Sequence, residues 1–255
     1  MRRTILVIML LLPVIFRADA QDSSGTPDEQ VREHILWAAD NGITAMTFWN
    51  QGLTAVPPEI LQVRGLQELD LNDNRMAEFP MVVAQLPQLR KLTIASNNLT
   101  ALPPEIGQMA SLEELDISNN RLTALPPEIG QMDGLTMLIA GPNRIDHLPP
   151  QLGDMASLNI LWLADNQLTE PALPEALADM PQLTHLNLER NPLPGDLKWG
   201  SAESVGVYLR DRRAARQRQQ AIVAGALMIG AVAAGMLWRR RRYMAKRKKK
   251  REFAI

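Results

Sequence analysis

Hydrophobic positions in this chain recur at a fixed interval. Leu66, Leu89, Leu112, Leu135 and Leu158 stand 23 residues apart, and Leu183 follows after 25. Counted from each of these, the fourth, sixth and eleventh places are apolar and the ninth is asparagine. Leu112, Leu115, Ile117, Asn120 and Leu122 thus recur as Leu158, Leu161, Leu163, Asn166 and Leu168. Counting back by 23 finds Ile43, Met46, Phe48 and Leu53, with Gln51 in the asparagine place, so the pattern implies seven units. The alternation at the fourth and sixth places predicts a short strand whose leucines point inward. One such unit cannot bury its apolar face alone, so the units must stack. Seven strands at about 4.8 Å spacing make a parallel sheet with a concave face on the order of 30 Å long.

The polar words between the leucines read as scaffold. Asn74, Asn97, Asn120, Asn143, Asn166 and Asn191 follow their strands by a fixed offset. There a side-chain amide can satisfy backbone groups that the turning chain would leave unpaired. LPPEIGQM occurs at 102–109 and again at 125–132. Its Leu and Ile return to the core on the convex side, and its Pro-Pro pair predicts extended backbone where no ladder bond is needed. Two departures predict local bulging: Phe79, in the place of Val56, Leu102, Leu125 or Leu148, and a two-residue insertion within TEPALPEALADMPQ, near 170–180. Open ends of a stack need covering. At the front, Thr26-Pro27-Asp28-Glu29 reads as a capping box, Val31, Ile35 and Ala38 or Ala39 share a face, and Asn41-Gly42 stops the helix. At the back, Ser201 opens a short helix with Val205, Tyr208 and Leu209 on one side.

With this wording and a period of 23, the sequence resembles the leucine-rich repeat proteins of the typical LPPEIG-bearing class, over about residues 43–197. The resemblance implies an α/β solenoid, a horseshoe with a parallel concave sheet, and says little about function. Extracellular members in animals and plants usually close their ends with cysteine pairs. This chain has no cysteine, which points to a bacterial envelope protein.

Two hydrophobic stretches lie outside the period. Residues 1–20 carry Arg2 and Arg3, an apolar run from Ile5 to Phe16 and a final Ala18-Asp19-Ala20, the layout of a signal peptide cleaved after Ala20. AIVAGALMIGAVAAGMLW, residues 221–238, is uncharged, and its length of about 27 Å as a helix matches a membrane span. Charge then orients it. The net charge of −1 conceals 9 Lys and Arg against 24 Asp and Glu over residues 21–200, a balance of −15, and ten basic residues without an acid at 239–251. Five arginines lie in the upstream RDRRAARQRQQ. The bias places the C-terminus in the cytoplasm and the repeats outside, at the cell surface or in the periplasm. The domains expected are therefore a signal peptide (1–20), an N-terminal helical cap (21–42), the repeats (43–200), a C-terminal cap helix with a basic juxtamembrane linker (201–220), one transmembrane helix (221–238) and a basic cytoplasmic tail (239–255).

Little in the chain suggests catalysis. It has no GxSxG, no Walker lysine loop and no GxGxxG after a strand, and His34, His147 and His185 are far apart. Neither an enzyme nor a cofactor nor a metal site is expected. The acidic repeats argue against nucleic acid. What remains is the outward side of the strands. The third places read Ala45, Glu68, Lys91, Glu114, Met137, Ile160 and His185, and the fifth Thr47, Asp70, Thr93, Asp116, Ile139, Trp162 and Asn187. Met137, Ile139, Ile160 and Trp162 should form one apolar patch, bordered by Glu114 and Asp116 on one side and by His185 and Asn187 on the other. Exposed clusters of that kind mark contact surfaces; the competing reading packs them against a fifth-unit turn distorted by Gly141-Pro142. Trp49 is a weaker candidate, since the N-terminal cap offers it a packing surface. Glu68 with Asp70, and Glu114 with Asp116, read as solvated strand charges.

The expected function is a non-catalytic, single-pass membrane protein that binds a protein or peptide through its concave face. A structural envelope or adhesion component contacting cell-wall or matrix polymer is the alternative, and a cytoplasmic scaffold a third reading. Ala226, Gly230 and Ala233 or Ala234 lie near one face of the span and would permit a weak homodimer. The basic tail could meet anionic lipid or simply orient the span.

Overall fold

The computed structural model describes residues 27–193 and 205–220. The chain divides into two compact units, with the division between Val207 and Tyr208. In the first, seven three-residue strands follow one another in a single parallel sheet: β1 (Ala45–Thr47), β2 (Glu68–Asp70), β3 (Lys91–Thr93), β4 (Glu114–Asp116), β5 (Met137–Ile139), β6 (Ile160–Trp162) and β7 (His185–Asn187). Every strand is the third to fifth place of its unit, and every pairing joins equivalent places, as in Leu115 with Leu138 and Leu138 with Leu161. The core is the period made solid. In the fourth unit Leu112, Leu115, Ile117, Leu122, Leu125, Ile129 and Met132 are all buried.

The asparagine places form a continuous ladder. The Asn166 amide donates to the carbonyls of Ala140, Leu163 and Ala164, and its oxygen accepts from the Ile145 N–H. Asn74, Asn97, Asn120, Asn143 and Asn191 repeat this arrangement. Gln51 does not join it as a donor: its side chain turns back to the carbonyl of Trp49. The residue before five of the six ladder asparagines takes a left-handed conformation, at Asp73, Ser96, Asn119, Asp165 and Arg190, as does Asn50 before Gln51. In the fifth unit this place is Pro142, whose ring forbids positive φ. The backbone answers by moving its bonds one residue along: Asn120 donates to Pro142 O and Asn143 to Asp165 O. The Asn143 amide still reaches Ile117, Ala140 and Gly141, so the Gly141-Pro142 irregularity stays local.

On the return path the structure corrects two expectations. Only the first proline of each Pro-Pro pair is extended; the second opens a 3-10 helix, at Pro58–Gln62, Pro104–Gln108, Pro127–Gln131 and Pro150–Asp154. A proline there loses nothing, because the first N–H of a helix has no partner within it. The second unit reads FPMVV instead, and its 3-10 helix shrinks to Val83–Gln85, with Phe79 buried. The inserted residues make no bulge. They add a 3-10 turn, Glu170–Ala172, before Glu175–Asp179, and leave the register of Ile160 with His185 intact.

The helix α1 (Pro27–Asp40) packs on the 3-10 helix Pro58–Gln62 of the first unit. Val31, Ile35 and Ala38 are buried on its inner face, and Ala39 is not. His34 meets Phe48 edge-on at 5.9 Å, Arg32 pairs with Glu59, and Gly42 with φ 62 turns the chain into β1. Thr26 lies outside the described residues. Residues 205–220 are helical throughout, so the basic RDRRAARQRQQ stretch is helix, with Val205 and Leu209 buried. The signal peptide, the start of the C-terminal helix at Ser201, the span at 221–238 and the basic tail lie outside the described residues. Among the described residues, no helix is long and apolar enough to cross a membrane.

Candidate functional site

In a strand, neighbouring side chains leave opposite faces, so the buried fourth place of each unit sends the third and fifth outward. The parallel register then collects them into two rows. Met137 lies beside Ile160, and Ile139 beside Trp162. Glu114 and Asp116 flank the pair on β4, and His185 and Asn187 on β7. All eight residues singled out from the sequence therefore share one face across four strands. None is buried, and Trp162 is 44% exposed.

The polar borders are partly occupied. Glu114 holds Lys91 through a 2.8 Å ion pair. That bond is the main cause that pushes the Lys91 ammonium above its ordinary pKa, with the Glu68 and Asp116 charges adding to it against a cost of burial. Asp116 accepts the N–H of Ser118, as Asp70 accepts that of Asn72 and Asn187 that of Glu189. Asp or Asn at the fifth place thus pins its own turn. Ile139 and Trp162 abandon that bond, and the patch is where the sequence forgoes it. The His185 ring is exposed beside the Thr184 hydroxyl, at 2.7 Å.

Sequence reasoning passed over a second feature of the same face. A hollow of about 400 Å³ opens at its β1 end, lined by Ala45, Thr47, Trp49, Glu68, Asp70, Lys91 and Thr93 among others. Trp49 does not pack under α1. It is 56% exposed, and its indole N–H donates to Asp73 at 2.6 Å. The signal was present: the first unit alone combines a small residue at the third place, Ala45, with an aromatic one at the seventh. No cluster of His, Asp or Glu among the described residues could hold a metal ion.

A family model described as a leucine-rich repeat region matches residues 83–204. Those residues are a leucine-rich repeat region. No curated protein matches it. Among solved structures, it is similar to a leucine-rich repeat protein of Leptospira interrogans, at 31% identity and a TM-score of 0.49 over 60% of this chain and 44% of that one. It is also similar to the leucine-rich repeat ectodomain of the plant membrane receptor kinase GASSHO1/SCHENGEN3 from Arabidopsis thaliana, solved in complex with Casparian strip integrity factor 2. Identity there is 27% and the TM-score 0.52, over 61% of this chain and 20% of that one. An internalin from Listeria monocytogenes matches at 22% identity and a TM-score of 0.43, over 64% and 57%. The leucine-rich repeat chain described here spans less than two thirds of each of these.

Proposed function

We propose that this leucine-rich repeat protein is a non-catalytic, membrane-anchored receptor or adaptor that binds another protein or a peptide through its concave face, centred on Trp162. The observation that carries the reading is the paired register of Met137 with Ile160 and Ile139 with Trp162. It puts four large apolar side chains where the other units carry mostly charge or hydroxyl. Burying each against a partner contributes roughly 1.5 to 3 kcal/mol, enough for a hot spot with the tryptophan at its centre. The plant relative's ectodomain, solved with a bound factor, is a precedent for this use of the fold. Anchoring rests on the sequence of 221–238 and its basic flank, with α1 as the N-terminal cap and the repeats outside the cytoplasm.

A photo-crosslinking amino acid placed at Trp162 in living cells should trap a discrete partner, and the same group at Gln108, on the return path, should not. Replacing Met137, Ile139, Ile160 and Trp162 together by Ser or Thr should abolish capture by a crosslinker at Asn187 while leaving the melting transition in place. Retained capture by that variant overturns the site. Protease digestion of the repeats on intact cells tests the topology: protection would place them inside.

A further inference from the structure

The hollow at the β1 end differs from the apolar patch in shape and in charge. Its tryptophan is fixed, because the Trp49 indole is tied to Asp73 across the repeat boundary, yet the ring stays more than half exposed. Facing the same space, Asp70 is also fixed. One of its oxygens accepts from Thr47, and the other from Thr93 and the Asn72 N–H. Glu68 is exposed, and among the described residues its carboxylate makes no hydrogen bond and acts on Lys91 only through space. Lys91, the cation in the lining, turns its ammonium to Glu114 on the far side. A shaped cavity therefore presents a rigid aromatic surface and two carboxylates, beside a lysine whose direct ion pair is with Glu114 and not with either of them.

The guest that suits these walls can be chosen by exclusion. An anion would be repelled, and an apolar group would strip water from Glu68 and Asp70 without replacing its hydrogen bonds. An ammonium would answer the charge but is a compact, strongly hydrated point. A guanidinium is planar, less strongly hydrated, stacks on an indole and carries five donors for carboxylates. We infer that the hollow bounded by Trp49, Glu68 and Asp70 is a subsite for an arginine side chain of the protein partner. This rests on the concave face being the recognition surface, and it adds a constraint. The hollow on β1 and β2 lies four strand spacings from the patch on β5 and β6, about 19 Å. An extended partner segment would span that with its arginine and its apolar anchor roughly six positions apart.

The test uses the full chain labelled with 5-fluorotryptophan. Its five tryptophans give separate fluorine resonances, and Trp49→Phe assigns the one concerned. Titration with N-acetyl-arginine amide should shift the Trp49 resonance saturably, with a roughly millimolar dissociation constant. N-acetyl-citrulline amide, the neutral isostere, should bind at least about tenfold more weakly. Glu68→Gln should weaken the arginine response severalfold. Asp73→Asn, which retains an acceptor for the indole and suits the left-handed backbone there, should preserve it. Equal responses to arginine and citrulline, or a response at Trp162 with none at Trp49, overturn the inference. If the patch variants abolish crosslinking while Trp49 ignores arginine, the recognition face stands and this subsite falls.

Discussion

Asn166 and Gln51 occupy the same place in their units and do opposite things. The Asn166 amide is buried and engaged at both ends, donating to three carbonyls and accepting from one N–H. Asn166→Ala leaves these groups stranded away from water. It should lower unfolding stability by about 3 kcal/mol in urea titration. Gln51→Ala removes a single exposed bond and should cost under about 0.5 kcal/mol. A pH dependence belongs to this scale too. His34 sits between Trp37 and Phe48, and burial pushes its pKa below 6.5. The unfolded chain therefore binds a proton that the folded one resists. Stability from this group is full above about pH 6.5 and is lost as pH falls from there through the lowered folded value. His34→Leu should flatten the difference between melting temperatures at pH 7.5 and pH 5.

Two glycines, Gly130 in a 3-10 helix of the return path and Gly141 in the turn after β5, differ in the space around them. A Cβ on Gly130 would overlap the carbonyl of Gln151, whereas one on Gly141 would meet only Ala164 O at 3.6 Å, with φ outside the left-handed region. Gly130→Ala should cost about 2 kcal/mol, because successive 3-10 helices would have to part. Gly141→Ala should be neutral or stabilise by about 0.5 kcal/mol. Calorimetry on the two variants checks both. The strands themselves were legible in the sequence, because the fourth and sixth places admit only one register once the leucines face inward. The 3-10 helices were not. Proline-proline reads as extended chain, and the glycine three places on shows its purpose only when the next unit's carbonyl lies against it. The apolar patch was legible for the same reason as the strands: places three and five must point away from the core. The hollow escaped notice because it is a property of two places taken together, Ala45 leaving space and Trp49 walling it. The inserted turn at Glu170–Ala172 was legible as extra length and not as shape, since two residues can be absorbed on the convex side without disturbing β6 or β7.

Each described repeat is joined to its neighbours by the same bonds, strand pairing and the asparagine amide, and some junctions add an ion pair, such as Arg90 with Glu113 at 2.7 Å. Stability in such an array is a sum of nearest-neighbour couplings, so damage at one end should fray that end before it reaches the other. The front of the array depends on α1, whose Ile35 is fully buried. Ile35→Asp should release the helix and uncover Phe48 and Ile60. Amides next to the breach, such as Gln67 and Glu68, which both donate to Thr44 O, should then exchange hydrogen far faster. Asn159 and Ile160, which make the equivalent bonds to Thr136 O four strands along, should keep their protection. That asymmetry would also separate the two ends of the recognition face: the Trp49 hollow would lose its shape in this variant while the patch around Trp162 kept its own. Uniform loss of protection along the chain would instead mean that the seven units unfold as one cooperative block, and that the hollow and the patch cannot be uncoupled by any change at the front.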